Sequence, residues 1–401
     1  MADANKTQLT YGIESAWGTS PGTFTKLRFT GESLAFNITN ITSNEIRSDR
    51  QVTDLIQTGA DCSGGINFEL SYGAFDAILE GALCSTWAGI GGASVDSIVT
   101  NSTKTITVNA TNKTFTFSTG FTGSAFNLVK GQAFMLVTAD ASNEGVHFVN
   151  SATARTFTVS TTTLTPALYD ASPVATIKSS RLRNGDIEKS FSIERFVNRA
   201  AGDDFYFLFS GMMVNTLQIT ATASAIITGS LDFIGKVATV LTGSQDADTY
   251  AEAPANDVLN AVANVADIIE GATLETDLQA AGIYFQELAF TVANNLRGRQ
   301  AIGYLGNVSV GLGRCDVNGT VTAYFDSKAL YDKYVNATAS GLSFSVEDAS
   351  GKGYVFSFPK VKFSSDAINA EGINTDIMER LGFQAIRHPT FDYTIQICRF
   401  A

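Results

Sequence analysis

Only two histidines, His147 and His388, occur in 401 residues, so a Ser-His-Asp or Cys-His nucleophile has few places to form. Asp203 and Asp204 are neighbouring carboxylates, which read as loop solvation more simply than as a pair of glycosidase acids. "GYLGNVSVGLG", residues 303–313, is rich in glycine but has no GK[ST] and no strand-Gly-helix arrangement, as a phosphate cradle would require. Cys62, Cys84, Cys315 and Cys398 contain no CxxC pair, so buried free thiols are expected in place of a metal knuckle or redox pair. These residues predict a protein that is not an enzyme and holds no cofactor or metal.

The formal net charge of −12 argues against binding to a phosphate backbone, because that affinity comes from Lys and Arg displacing counterions. "MADANKTQLTYG" lacks a basic segment followed by an apolar one, and no 18-residue apolar run occurs. Folding in a cytoplasm, with no membrane span, is the expectation. Asn-x-Ser/Thr tripeptides at Asn37, Asn101 and Asn318 then follow from an Asn/Thr-rich β composition and not from glycosylation.

The elements that carry these residues are mostly strands. In "GINFEL", Ile66, Phe68 and Leu70 share one face while Asn67 and Glu69 take the other, the pattern of a half-buried strand. "TITVN", "TFTFS", "SFSIE", "GLSFSVED" and "YVFSF" repeat it with the Thr, Val, Phe and Ile that pleated surfaces favour. Two stretches have helical spacing. Phe75, Ile78, Leu79, Ala82 and Leu83 predict a short amphipathic helix with Ser71 as N-cap. Leu330, Tyr331, Tyr334 and Val335 predict another behind Asp326 or Ser327. "NDVLNAVANVADIIEGA" also has helical spacing, although its Val and Ile content suits a strand equally well.

The chain also repeats itself. "LAF" stands at 34–36 and 288–290, and Cys-containing turns end at Gly65 and Gly319; both pairs are 254 positions apart. Each is followed by an alternating strand and one of the two helices. Between the first helix and "RLRNGDIEKSFSIE" the composition changes to Thr/Ser/Asn-rich hairpins, entered through "WAGIGGAS". The fold class is therefore mainly β, with two related β-sandwich or barrel modules, each flanked by a short α-helix. The first module spans 1–88 and 181–255, an inserted small all-β domain spans 89–180, and the second module spans 256–401. The insertion is expected on the outer surface.

"TYGIESAWGTSPGTFTKLRFTGESLAF", "EIRSDRQVTDLIQTGADCSGGINFELSYGAFDAILEGALCSTW", "FSGMMVNTLQI", "ITGSLDFIGK" and "SGLSFSVEDASGKGYVFSFPKVKF" together resemble the major tail tube proteins of long-tailed, non-contractile (siphovirus-type) bacteriophages. The resemblance covers nearly all of the chain outside the insertion. It implies a virion subunit, assembled in the bacterial host cytoplasm, whose rings stack into a tail around a channel for genome ejection. It further implies that one sheet of each module joins its neighbours' sheets to line that channel.

Under that resemblance the partners are other copies of the chain, with the tape measure and the tail terminator or tip proteins. Two modules per chain favour a trimeric ring with pseudo-sixfold symmetry over a hexamer. DNA would pass an acidic bore without specific binding, and Glu69, Glu194 and Asp232, which oppose apolar faces on predicted strands, are the residues expected there. "SNEIRSDRQVTD" supplies Glu45, Arg47, Asp49, Arg50 and Asp54, mixed charges expected either to pair with the adjoining ring or to form a solvated hairpin. A carbohydrate-binding or adhesive β-protein of a tail tip or cell surface is the alternative reading.

Overall fold

The computed structural model describes residues 2–90, 96–121, 128–138, 143–153, 155–160, 164–199, 204–246, 249–271, 276–277, 283–369 and 372–400. The elements that organise it are β1 (Ala2–Ile13), β2 (Ala35–Thr42), β3 (Leu55–Glu69), α1 (Asp76–Ala82), β4 (Phe191–Arg199), β5 (Phe205–Thr222) and β6 (Thr228–Gly235). They continue with β7 (Phe285–Ala293), β8 (Asp316–Tyr324), α2 (Ala329–Val335), β9 (Ser340–Glu347), β10 (Gly353–Asn369), β11 (Met378–Ala385) and β12 (Gln396–Phe400).

Alternation decides which way each strand faces. Along β3, Cys62, Ile66 and Phe68 are buried while Asp61 and Asn67 are exposed. Antiparallel pairing joins eight strands in the order β2-β3-β6-β5-β7-β8-β11-β10. The middle pairing, Thr216 to Thr222 of β5 against Ala293 to Glu287 of β7, fuses the first half of the chain to the second.

A second set of strands packs behind this sheet. In the first half β1 pairs with β4, and β4 pairs with the leading part of β5. In the second half Val265–Glu270 pairs with β9, and both β9 and β12 pair with the leading part of β10. The long strands β5 and β10 thus belong to both layers. Neither sheet closes into a barrel. Between the layers lies one continuous core that includes Leu9, Phe68, Phe191, Leu217, Phe290, Phe356 and Phe383. Each such side chain contributes about 1.5–3 kcal/mol on leaving water.

Both predicted helices are present, but shorter than their patterns. α1 begins at Asp76 with Phe75 in the cap position, and Ser71 instead forms an isolated bridge to Val258. α2 begins at Ala329 behind Lys328; neither helix has a side-chain cap. α1 buries Ile78, Leu79 and Ala82 against the sheet, and Gly81 allows the approach: a Cβ there would lie 2.6 Å from the Phe191 ring. α2 buries Leu330 only, leaving Tyr331 and Val335 exposed. The third helical pattern gives no helix among its described residues. Its last part is the strand Val265–Glu270, where β-branched side chains pair with β9.

The strands from Ser97–Val99 to Ala175–Lys178 form a separate eight-stranded antiparallel sheet over a core of Phe115, Phe134, Phe157 and Tyr169. This sheet is seated on the second half. Ala133, Met135 and Phe148 pack on Val355, Cys398 and Phe400. Tyr393 Oη and Gln396 Nε2 donate to the Gly131 carbonyl at 2.7 and 2.9 Å. Most of the glycine-rich joint, residues 91–95, lies outside the described residues.

α1 also ties the two halves together. Asp76 accepts from Tyr354 Oη at 2.6 Å and from Arg399, whose other nitrogen reaches Asp96 at 2.8 Å.

Leu217, fully buried between Leu231 and Val292, sits where the two halves meet. Leu217→Ala is expected to lower stability by about 2–5 kcal/mol through the lost transfer energy and the cavity left behind. A denaturant melt of the dilute chain measures it.

Candidate functional site

The two faces of the eight-stranded sheet differ sharply in chemistry. One row crosses seven strands as Ile66, Leu231, Leu217, Val292, Val317, Ala385 and Val361, and every member is buried. The neighbouring row reads Asn67, Ser230, Gln218, Thr291, Asn318, Gln384 and Lys362, on the opposite face. This second face is an unbroken polar wall that runs through both halves of the chain.

Charge on that wall is sparse and mostly negative. Asp61, Glu69, Asp232, Glu287 and Asp316 stand on it against Lys360, Lys362 and Arg380, five carboxylates to three cations. Two of the three acids expected from the sequence are among them: Glu69 opposes Thr228, and Asp232 is exposed between Thr216 and Gly65. Glu194 is elsewhere. It lies on β4 with no exposed surface, accepting from Tyr250 Oη at 2.6 Å and from the Gln245 N–H at 2.9 Å. Alternation placed it on a polar side of its strand; Gln245 and Tyr250 cover that side, and its carboxylate holds them in place.

The sheet ends in two edges with no strand beside them among the described residues. One is the outer side of β2, which pairs only with β3. The other is the last part of β10, from Lys362 to Asn369, which pairs only with β11. Rows of free N–H and C=O groups at such edges accept a further strand.

Glu45, Arg47, Asp49, Arg50 and Asp54 all lie exposed on the hairpin joining β2 to β3. Arg47 Nη2 donates to Asp49 at 2.8 Å, and this contact holds the Asp49 carboxyl below its ordinary range. Arg50 has a φ of 60°, marking the turn. Glu45, Arg50 and Asp54 make no ion pair. The polar reading of the hairpin overlooked its apolar residues: Ile46 and Val52 are 98% and 71% exposed, with Ile41, Leu55 and Ile56 bare on the flanking strands. The signal was the apolar set in "NITNIT" and "LIQ", which finds no core in one chain. At the corresponding place between β7 and β8, a second hairpin bares Ile302, Tyr304 and Leu305. Its base is held to the first half by Asn307 Nδ2 donating to the Gly235 carbonyl at 2.9 Å.

The residues with catalytic potential are engaged in structure. His147 is buried between Phe115 and Phe134, its Nε2 lies 2.8 Å from the Asn143 carbonyl, and burial lowers its pKa. His388 stacks on Phe391 and accepts two backbone N–H groups at Nδ1. All four cysteines are free, and burial pushes the Cys62 thiol up to about 12. Asp203 lies outside the described residues. The "GYLGNVSVGLG" stretch forms the second hairpin and leads into no helix. Among the described residues no group of three or more His, Cys, Asp or Glu could hold a metal, and no helix is long and apolar enough to cross a membrane.

One pair of acids was not anticipated. Glu379 of β11 is 2% exposed on the core side, diagonal to Asp366 of β10. Burial, helped by the Asp366 charge, pushes the Glu379 carboxyl up to about 7. Burial also raises Asp366 despite the neighbouring Ala367 N–H.

A sheet with one apolar and one polar face, and with two edges unpaired among the described residues, is suited to a subunit that takes further strands from its neighbours. A model of the phage tail tube protein family matches residues 4–385, and the chain belongs to that family. It is thus a structural subunit of a virion tail that assembles with itself into a tube. No curated protein matches it.

Glu379 gives a pH signature in the single chain. Its folded pKa lies above the unfolded one, so its stabilising contribution is present at low pH and is lost as pH rises through about 7. Glu379→Gln is expected to stabilise the dilute, unassembled chain by about 1–3 kcal/mol at pH 8, with the gain shrinking toward pH 5. Thermal melts across that range check the sign.

Proposed function

We propose that three chains close into a ring of six staves, and that rings stack into a tube through which DNA leaves the virion. The observation that carries this reading is the β5–β7 pairing, where one half of a chain joins the other as one continuous sheet. Repeating that step from β10 of one copy to β2 of the next leaves no strand edge open after one full turn. Two related halves per chain make three copies sufficient for six-fold geometry.

The polar wall then lines the bore. Thr, Ser, Asn and Gln hold a hydration layer there, and Glu69 and Asp232, with Asp61, Glu287 and Asp316, outnumber Lys360, Lys362 and Arg380. Phosphates meet weak repulsion and few cations to grip, so DNA slides without specific binding. The apolar face must turn outward into the core, which fixes the polar face as the one that sees DNA.

Stacking falls to the hairpins. Ile46 and Val52, with Ile302, Tyr304 and Leu305 in the second half, bury against the adjoining ring, and Glu45, Arg47, Asp49, Arg50 and Asp54 set its orientation. The inserted sheet, docked on β10 and β12 behind the polar wall, lies on the outside of the tube. Tape measure and terminator or tip proteins complete the tail, which forms in the cytoplasm of the host of a long-tailed phage.

Negative-stain microscopy of the concentrated protein, with native mass spectrometry of released rings, tests this. Hollow rods and three-chain rings are expected; six-chain rings would replace the trimer by a hexamer. A monomer that binds glycans and never forms rods, even with tail initiators present, would favour the adhesive reading instead. Separately, Arg47→Glu with Arg50→Glu is expected to leave rings intact and shorten rods severalfold. Rods of normal length would remove those two charges from stacking.

A further inference from the structure

The internal repeat can be superposed strand by strand through Leu-x-Phe, which stands at Leu231 to Phe233 in β6 and at Leu381 to Phe383 in β11. In the first half Leu231 pairs with Leu217 and Ile66, and Gly229 pairs with Ile219 and Phe68. In the second half Leu381 pairs with Asp366 and Val321, and Glu379 pairs with Ile368 and Ala323. Asp366 therefore occupies the place of Leu217. Glu379 occupies the place of Gly229, over which the Phe68 ring lies, 2.3 Å from where a Cβ would stand. An apolar cluster in one half has become a pair of carboxylates in the other.

The carboxylates are unmatched. Glu379 Oε1 and both Asp366 oxygens are buried with no hydrogen-bond partner of ordinary geometry. A buried, unpaired charge of this kind calls for a cation, and among the described residues none makes an ion pair or hydrogen bond with it. The pair also stands beside the free edge of β10, at the position where, in the first half, β7 of the second half joins.

That junction shows what would come next. Strand pairing sets equivalences one or two residues away from the 254-position offset of the sequence repeat: Gly64 and Gly319 stand opposite Phe233 and Phe383, and beside them stand Leu34 and Phe290. Phe290 pairs with Ile219. The same step between copies sets Ile368, the counterpart of Ile219, opposite Leu34 of a second copy. The Leu34 carbonyl accepts from Arg195 Nη1 at 3.3 Å, and the same nitrogen reaches Glu32 at 2.9 Å. Arg195 lies over Phe207, with its guanidinium 21% exposed at the β2 edge. It is the cation that this step brings to the level of Glu379.

We propose that Asp366 and Glu379 form an inter-subunit ion-pair seat, completed by Arg195 of a second copy of this chain when β2 of that copy pairs with β10. This rests on the ring reading and adds to it what distinguishes the junction between chains from the junction within one. The internal junction is apolar and permanent; the external one carries complementary charge, which gives it direction and excludes the pairing of two β10 edges, whose acids would face one another.

Two measurements separate the proposal from the ring itself. Ala35→Cys with Ala367→Cys places two small residues of the polar face opposite one another in the expected register. Oxidation should yield covalently closed trimers in the wild-type background, and absence of any cross-linked species together with absence of rods would overturn the ring. The charge exchange tests the ion pair. Arg195→Glu and Glu379→Arg are each expected to raise the protein concentration needed for rod formation at least tenfold, and the double exchange to recover most of that loss. Because Arg195→Glu could disturb its own strand, Asp366→Asn with Glu379→Gln provides a milder variant, expected to weaken assembly while circular dichroism stays unchanged. If closed trimers form and rods assemble equally well in all of these variants, the ring stands and the ion-pair seat is wrong. Assembly that needs millimolar Ca2+ and ignores Arg195 would likewise overturn it, assigning the carboxylates to a metal.

Discussion

Backbone hydrogen bonding at strand edges is the constraint from which the rest of this structure follows. Every N–H and C=O at a sheet margin needs a partner, and a margin left bare recruits one. Within the chain the need is met once, where β5 meets β7 and the two halves of the chain become one wall. At β2 and at the end of β10 it is left unmet. The chain therefore carries both a finished junction and the two parts of an unfinished one, and a tail tube family member has a use for that incompleteness.

The faces of the wall follow from the same geometry. Strand side chains alternate, so a sheet that is apolar toward its core must present its other face to something else, and here that face is Thr, Ser, Asn and Gln with few charges. A conduit benefits from such a surface because uncharged hydroxyls and amides hold water without gripping a polyanion. The carboxylate surplus is small per chain, and in the stacked rings proposed above it would repeat along the whole bore.

The two halves share a plan and differ where their surroundings differ. Phe68 over Gly229 in the first half is replaced by Ala323 beside Glu379 in the second. α1 is sealed against the sheet by Gly81 and clamped through Asp76, whereas α2 keeps Tyr331 and Val335 exposed. The hairpin of the first half stands free, while that of the second is held at Asn307. The apolar seat of the inserted sheet is on the second half, at Val355, Cys398 and Phe400. Each difference lies at a place where one half meets its twin within the chain and the other half meets something else.

From the sequence alone came the strands, the two helices and the free thiols, because alternation, helical spacing and residue counts are local properties. The resemblance to tail tube proteins was legible in whole phrases, as was the exposed hairpin with Glu45 through Asp54. Local pattern could not say which polar faces are covered: the strand of Glu194 alternates like its neighbours, but Gln245 and Tyr250 bond to its carboxylate and bury it. Helix caps and the strand at Val265–Glu270 were decided by packing for the same reason. No local pattern singles out Asp366 and Glu379; pairing registers place them side by side at a free edge. Long-range register brings residues together across hundreds of positions, and only the tertiary structure contains it.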